Sequence, residues 1–470
     1  MLNQRLKWVP RVVPTRVRGA MAENLSGACH RTAPPKPSTK GLWNPAISFI
    51  SVAFFYAESV IMTSMPLSAE SDPAVGTVQA DAANNPPSGH IRLSAVDHLR
   101  GLVMVIMVLD HAREFFMNYG IDPTDLARTN GPLFFTRWIT HFCAPVFVFL
   151  AGTGAYLSHA RGKSLRELSL FLATRGLWLM VLEVTLVKLG WFFHLDYSTV
   201  LLQVIWTIGA AMICLSALIF LPVPVIAAIG LAIVLGHNLF DGALKGSLGS
   251  LGSWSILLRP GAASPRAGTT VIFAYSLIPW LGVMALGYAF GPVLTMPHHR
   301  RRRLIFGLGA ALTVAFLALR WLNVYGDPAP WKPQATWSLT IISFLNCQKY
   351  PPSLLYLLMT LGPALMLLAW FDAGPGAIGR RLVEFGRVPL FFYLLQWPTV
   401  HGLAILVALS RGESIGWFFK DAPFSPPPGY GYGLGMVYLM WIVAVLLLYF
   451  PCRWFGEVKR RNRAAWLSYF

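Results

Sequence analysis

The chain has 470 residues, of which 55% are hydrophobic and 13% aromatic, while only 12% are charged, about half the charged share of an ordinary soluble domain. Its long apolar stretches lack the polar helix faces that a soluble core of this size requires. Lys and Arg outnumber Asp and Glu by 38 to 20 for a net charge of +18. No basic helix interleaved with aromatics and no nucleic-acid module accompanies that charge, so the reading is no nucleic acid and a lipid bilayer as the partner.

Residues 1–41 are basic and rich in Pro, Ser and Thr, a composition expected to be disordered. A hydrophobic segment at 43–62 either spans or lies on a membrane, and it sits too far from the N-terminus to be a signal peptide. A low-complexity stretch follows at 66–90, so residues 1–90 form an N-terminal region apart from the main domain, 91–460. Met21 and Met65 are both candidate starts, and residues 1–64 need not belong to the mature protein.

From residue 91 hydrophobic segments follow at 99–118, 133–157, 168–190, 198–221, 223–239, 269–292, 303–322, 353–371, 385–409 and 433–455. The fold expected is all-α, a polytopic integral membrane helical bundle of about ten core spans. Arginines mark alternate connections: Arg161, Lys163 and Arg166; Arg300 to Arg303; Arg380 and Arg381; and Arg453 onward at the C-terminus. The opposite set carries only scattered charges such as Lys245, Lys332, Lys349 and Lys420. The positive-inside rule makes the first set, the start of the first span and the C-terminus cytoplasmic. Cys29, Cys143, Cys214, Cys347 and Cys452 show no metal-ligand spacing, and no metal is expected.

Ionisable groups within spans are costly, at least ~2.5 kcal/mol each on insertion scales, and so mark candidate sites. The first span holds Asp97, His98 and Arg100, then Asp110, His111, Arg113 and Glu114. Eleven residues separate Arg100 from His111, about three helical turns, which puts them on one face ~16 Å apart. Asp97 and Glu114 fall near that stripe and Asp110 lies to one side. His141 in the second span, Glu183 and Lys188 in the third, and Gln396 and His401 in the ninth approach a similar depth. This pattern predicts a membrane-embedded polar site with a cationic inner mouth. Bland readings compete with it. Arg100, Arg113 and Arg137 could snorkel, Asp110 and His111 could form a structural hydrogen bond between helices, and Glu183 with Lys188 reads first as a structural ion pair. Trp138 and Trp206 read as belt or packing residues, and His237 as an interfacial loop residue.

The segment Arg92-Leu93-Ser94-Ala95-Val96-Asp97-His98-Leu99-Arg100-Gly101 resembles the opening of heparan-alpha-glucosaminide N-acetyltransferase-like membrane proteins. The resemblance continues at Val146 to Gly152 and returns at Gly386-Arg387-Val388-Pro389 through Gln396. It implies an acetyl group moved from cytosolic acetyl-CoA, a co-substrate, to an amino sugar on the far side. The Arg100–His111 spacing is also similar to the Arg-x10-His signature of membrane acyltransferases that O-acetylate surface polysaccharides, where the histidine is the acyl-transfer base and the arginine lines the acyl-CoA path. Two departures stand out. The loop 118–133 has no histidine to match the acetyl-accepting one of the lysosomal enzyme, and Gln396 stands where a histidine is expected, with His401 the nearest replacement.

The reading that follows is an acyl-CoA-dependent transmembrane acyltransferase of the bacterial cytoplasmic (inner) membrane, acting on a glycan or amino-sugar acceptor at the outer side. Its catalytic set is His111 as general base, Asp110 to orient the imidazole, and His141 toward the oxyanion. Its substrate-binding set is Arg100, Asp97, Glu114, Arg387, Gln396 and His401. The rival is a proton-coupled transporter of a small solute, against which stand the missing inverted repeat and missing paired broken helices. A non-catalytic envelope scaffold is a third reading, and a homo-oligomer is compatible with each.

Overall fold

The computed structural model describes residues 93–117, 122–240, 256–374, 376–420, 422–462 and 464–470. The segment 43–62 and the rest of the N-terminal region, 1–90, lie outside the described residues.

The first helix, α1 (Ser94–Phe116), is the axis of the bundle. The second pass combines α2 (Gly131–Trp138), a 3-10 turn (Ile139–Phe142) and α3 (Cys143–Ala160). The third combines α4 (Leu165–Leu182), a π turn (Glu183–Val187) and α5 (Lys188–Phe192). The Asn130 side chain caps α2, and Ser164 with Glu167 forms a reciprocal capping box on α4, so each entry satisfies otherwise orphaned amides. After β1 (Thr199–Leu202) come α6 (Val204–Leu218) and α7 (Val223–Gly236), then β2 (Gly261–Arg266) and β3 (Thr269–Phe273). The later helices are α8 (Leu277–Leu294), α9 (His298–Leu322), α10 (Trp337–Leu345), α11 (Leu354–Phe371), α12 (Ala377–Gly386), α13 (Pro389–Ser410) and α14 (Leu434–Arg461).

Among the described residues, seven helices are long and apolar enough to cross a membrane: Gly131–Ala160, Leu165–Phe192, Leu277–Leu294, His298–Leu322, Leu354–Phe371, Pro389–Ser410 and Leu434–Arg461. This falls short of the expected ten or so, for two physical reasons. At 23 residues α1 is long enough, but it carries Asp97, Arg100, Asp110, Arg113 and Glu114. The other two, α6 and α7, have 15 and 14 residues, roughly 22 Å of helix against a hydrocarbon core of ~30 Å.

The chain is also not wholly α. Three strands form a sheet in the order β1-β3-β2, with β1 parallel and β2 antiparallel to β3. Runs of β-branched residues, Thr199-Val200 and Thr269-Thr270-Val271-Ile272, favour strand over helix. Hence the segments expected at 198–221 and 269–292 become helical only at Val204 and Leu277.

α1 packs against α3, α11, α12, α13 and α14. A Cβ at Gly101 would collide with Leu382 O of α12, and one at Gly386 with Asp97 O of α1. In the same way Gly152 of α3 meets Met284 O of α8. Each of the three motif segments thus supplies a glycine that lets two helix backbones touch, the small-residue packing that membrane helices use in place of a hydrophobic driving force.

Candidate active site

At one end of the bundle, α12 and the end of α14 frame a cavity of about 450 Å³ whose lining includes Arg380, Arg381, Arg387, Arg453 and Arg460. Glu384 and Glu457 also face it, and Glu384 binds Arg387 at 3.3 Å. Helix α1 begins beside this groove: Arg100 donates to Asp97 Oδ1 at 3.2 Å and to Gly386 O at 3.0 Å. The contact joins the opening motif to the Gly386–Gln396 motif through the two facing glycines. His98, next to Asp97, is fully buried, with Nδ1 2.7 Å from Ser94 O and its ring stacked on Phe371.

Eleven residues further along α1, His111 Nδ1 lies 3.2 Å from Glu114 Oε2. Its ring packs on Trp397, centroids 3.8 Å apart, and Trp397 stacks on Trp191 at 4.3 Å. Asp110 faces elsewhere, since adjacent helical residues point about 100° apart. Arg113 Nε and Nη2 both donate to Asp110 Oδ1, at 3.3 and 3.1 Å, and Arg137 Nη1 donates to Oδ2. Arg113 also reaches Glu114 Oε1 at 3.6 Å. The result is one continuous chain of charge, His111–Glu114–Arg113–Asp110–Arg137. In it Glu114, not Asp110, bonds the His111 ring, which revises the pairing expected from sequence adjacency.

The remaining expected residues are spread around this network. His141 follows Arg137 by one turn and is 1% exposed; both ring nitrogens are unpartnered among the described residues, while Tyr356 OH donates to its carbonyl at 2.7 Å. Gln396 is buried with Nε2 toward Met107 Sδ at 3.8 Å. His401 sits in an aromatic box, stacked on Phe193 at 4.0 Å with Phe115 at 4.8 Å. Arg387 lines the arginine groove, and Asp97 with Arg100 pairs beside Gly386 next to it, apart from the His111 network. Glu183 and Lys188 form no ion pair with each other. Glu183 accepts the amides of Gln203 and Trp206 at the start of α6, and Lys188 donates to Thr199 O.

Sequence reasoning undervalued three cations. Arg113 and Arg137 are 7% and 1% exposed, so they are buried partners of Asp110 rather than snorkels. The i, i+3 spacing from Asp110 to Arg113 was a usable signal; the Arg137 contact, made between helices, left none. The third, Lys349, is 7% exposed, and its charge acts on Asp110 and His141. Among the described residues no group of His, Cys, Asp and Glu is arranged to hold a metal ion.

Residues 92–326 match the family model described as heparan-alpha-glucosaminide N-acetyltransferase, catalytic. No curated protein matches the chain.

Proposed function

The chain belongs to the heparan-alpha-glucosaminide N-acetyltransferase family, and from that premise we propose that it is a membrane-embedded acetyltransferase using acetyl-CoA and a glycan or amino-sugar acceptor. When bound, acetyl-CoA supplies the acetyl thioester. The groove of Arg380, Arg381, Arg387, Arg453 and Arg460 suits its phosphates in charge and geometry, since guanidinium forks bind phosphate bidentately. By the positive-inside rule this end faces the cytoplasm, the side from which the donor arrives in a bacterial inner membrane. Arg100 leads from the groove into the bundle along α1.

His111 is the base. Glu114 holds Nδ1, which leaves Nε2 free to take the proton from an acceptor amine or hydroxyl, and the carboxylate steadies the imidazolium that forms. Trp397 fixes the ring's plane, so the base is held in place before the acceptor arrives. Asp110 keeps Arg113 and Arg137 in position beside it. One observation carries the reading: α1 runs unbroken from Arg100, bonded to Gly386 O beside the groove, to the Glu114-bonded His111, eleven residues and about 16 Å along one face. Incubating the purified protein with radiolabelled acetyl-CoA and glucosamine should release CoA and label the sugar. CoA release no faster than in a protein-free control would reject the proposal.

A further inference from the structure

Four consecutive arginines, Arg300 to Arg303, stand in the first two turns of α9, and neither the arginine groove nor the His111 network uses them. They lie at the groove's end of the bundle, because Asp372, at the close of α11, ties the start of α9 to it. Arg301 Nε and Nη2 donate to Asp372 Oδ2 and Oδ1 at 3.0 and 2.8 Å, and His298 Nε2 lies 2.9 Å from Asp372 O. Arg301 Nη1 also donates to the carbonyls of Leu294 and Met296 at 3.4 and 3.3 Å. Asp372 is thereby fully engaged. Arg300, Arg302 and Arg303 are exposed and make no hydrogen bond or ion pair among the described residues.

Their position works against them unless an anion joins. A helix N-terminus is the positive end of the dipole, where cations are disfavoured and anions are held, and like charges three residues apart repel. The face they occupy says which anion. Only 22% of the residues in the apolar stretch of α9 are buried, so most of the helix looks outward. Ile305, Gly309 and Phe316 turn into the bundle, where a Cβ at Gly309 would crowd Gly362 O of α11. On the opposite side Arg300, Phe306, Val314, Leu317 and Trp321 all fall within about 60° of Arg303 at ~100° per residue. Phe306, Val314 and Trp321 are 52%, 63% and 70% exposed. Gly307 shares this face and has no atom within 4 Å of where a Cβ would stand, so it leaves a notch directly beyond the two arginines. One outward stripe thus carries unpaired guanidinium groups at its end and bare apolar surface along its length, the two chemistries of a phospholipid with net negative charge.

We propose that Arg300 and Arg303, with Arg302 beside them, bind the headgroup phosphate of an anionic phospholipid whose acyl chain lies along Gly307 and Phe306 of α9. The site is independent of the acetyl-transfer reading. The test is native mass spectrometry of the purified full-length protein in neutral detergent, offered phosphatidylglycerol or phosphatidylcholine. Phosphatidylglycerol should bind in preference, and an excess of inorganic phosphate should not displace it, because the acyl chain contributes to binding. The double variant Arg300→Gln/Arg303→Gln should weaken phosphatidylglycerol by roughly tenfold or more. Its control, Arg161→Gln/Arg166→Gln, removes the same charge from another exposed connection and should leave the lipid bound as in wild type. Equal binding of the two lipids to wild type would overturn the site without recourse to any variant. So would a control that loses as much as the test pair, a test pair that binds like wild type, or displacement by inorganic phosphate, which would leave a phosphate site and no lipid.

Discussion

Arg137 is 1% exposed and gives Nη1 both to Asp110 Oδ2 and to Thr140 Oγ1, which makes it the buried partner whose loss the bundle should feel most. Replacing one member of such a pair costs ~3–5 kcal/mol, because the other charge is left uncompensated. In Arg137→Met, Arg113 still holds Asp110 Oδ1, so the cost should fall at the lower end, about 3 kcal/mol, or roughly a hundredfold in the folding equilibrium. Asp110→Asn should cost a similar amount, since it strips two arginines of their carboxylate. The double variant removes both charges, and Arg113 keeps Glu114. Its cost should therefore stay near that of one single variant, giving a coupling on the order of 2 kcal/mol or more. SDS-titrated unfolding of the purified variants in micelles measures all four corners of this cycle. Single effects that simply add, within about 0.5 kcal/mol, would refute the claim that the two side chains act as a buried pair.

Three further outcomes follow from other parts of the structure. Single cysteines at 159–166, 295–303 and 374–382 should resist a membrane-impermeant maleimide in intact cells, and labelling there from outside would invert the orientation. Gly386→Leu should separate α12 from α1 and lower both folded yield and acetyl-CoA affinity, because its side chain would collide with Asp97 O; a variant with wild-type yield and affinity would deny that contact a role. Burial pushes the Asp327 carboxyl above its ordinary 3.8, against the pull of Ser353, Gln348, Ala329 and Arg320. A raised folded pKa gives stability that is full below the unfolded value and lost as pH rises through the folded one. Wild type should therefore lose ground to Asp327→Asn as pH climbs above 3.8, and unfolding titrations showing a constant difference would contradict this.

Much of the site's frame was legible because it depends on local spacing. Arg100 and His111 share a helix face by arithmetic alone, and the charges of α1 single it out as the span richest in ionisable groups. The motif glycines could be read as a pattern, but their reason, backbone contact between α1 and α12 and between α3 and α8, exists only in the fold. The strands at Thr199–Leu202 and Thr269–Phe273 were hidden inside apolar runs that hydropathy reads as membrane spans. Adjacency pairs Asp110 with His111, whereas helical geometry turns it toward Arg113 and the fold brings Arg137 from the next pass. Lys349 read as a stray loop charge, because no local pattern tells that a loop held by Asp327 and His237 will fold inward. Contacts of short sequence range could be inferred; those that join separate helices could not.

Acetyl-transfer kinetics on matched, folded variants test the role of His111 most directly. His111→Ala should lower kcat on the order of 10²-fold or more while the protein stays folded. Glu114→Gln should lower kcat less and shift its pH dependence, because the imidazolium loses its carboxylate. Arg100→Ala should chiefly raise the KM for acetyl-CoA, as it lies ~16 Å from the base at the donor groove. A folded His111→Ala protein with wild-type turnover would rule out His111 as the base and leave His141 as the next candidate.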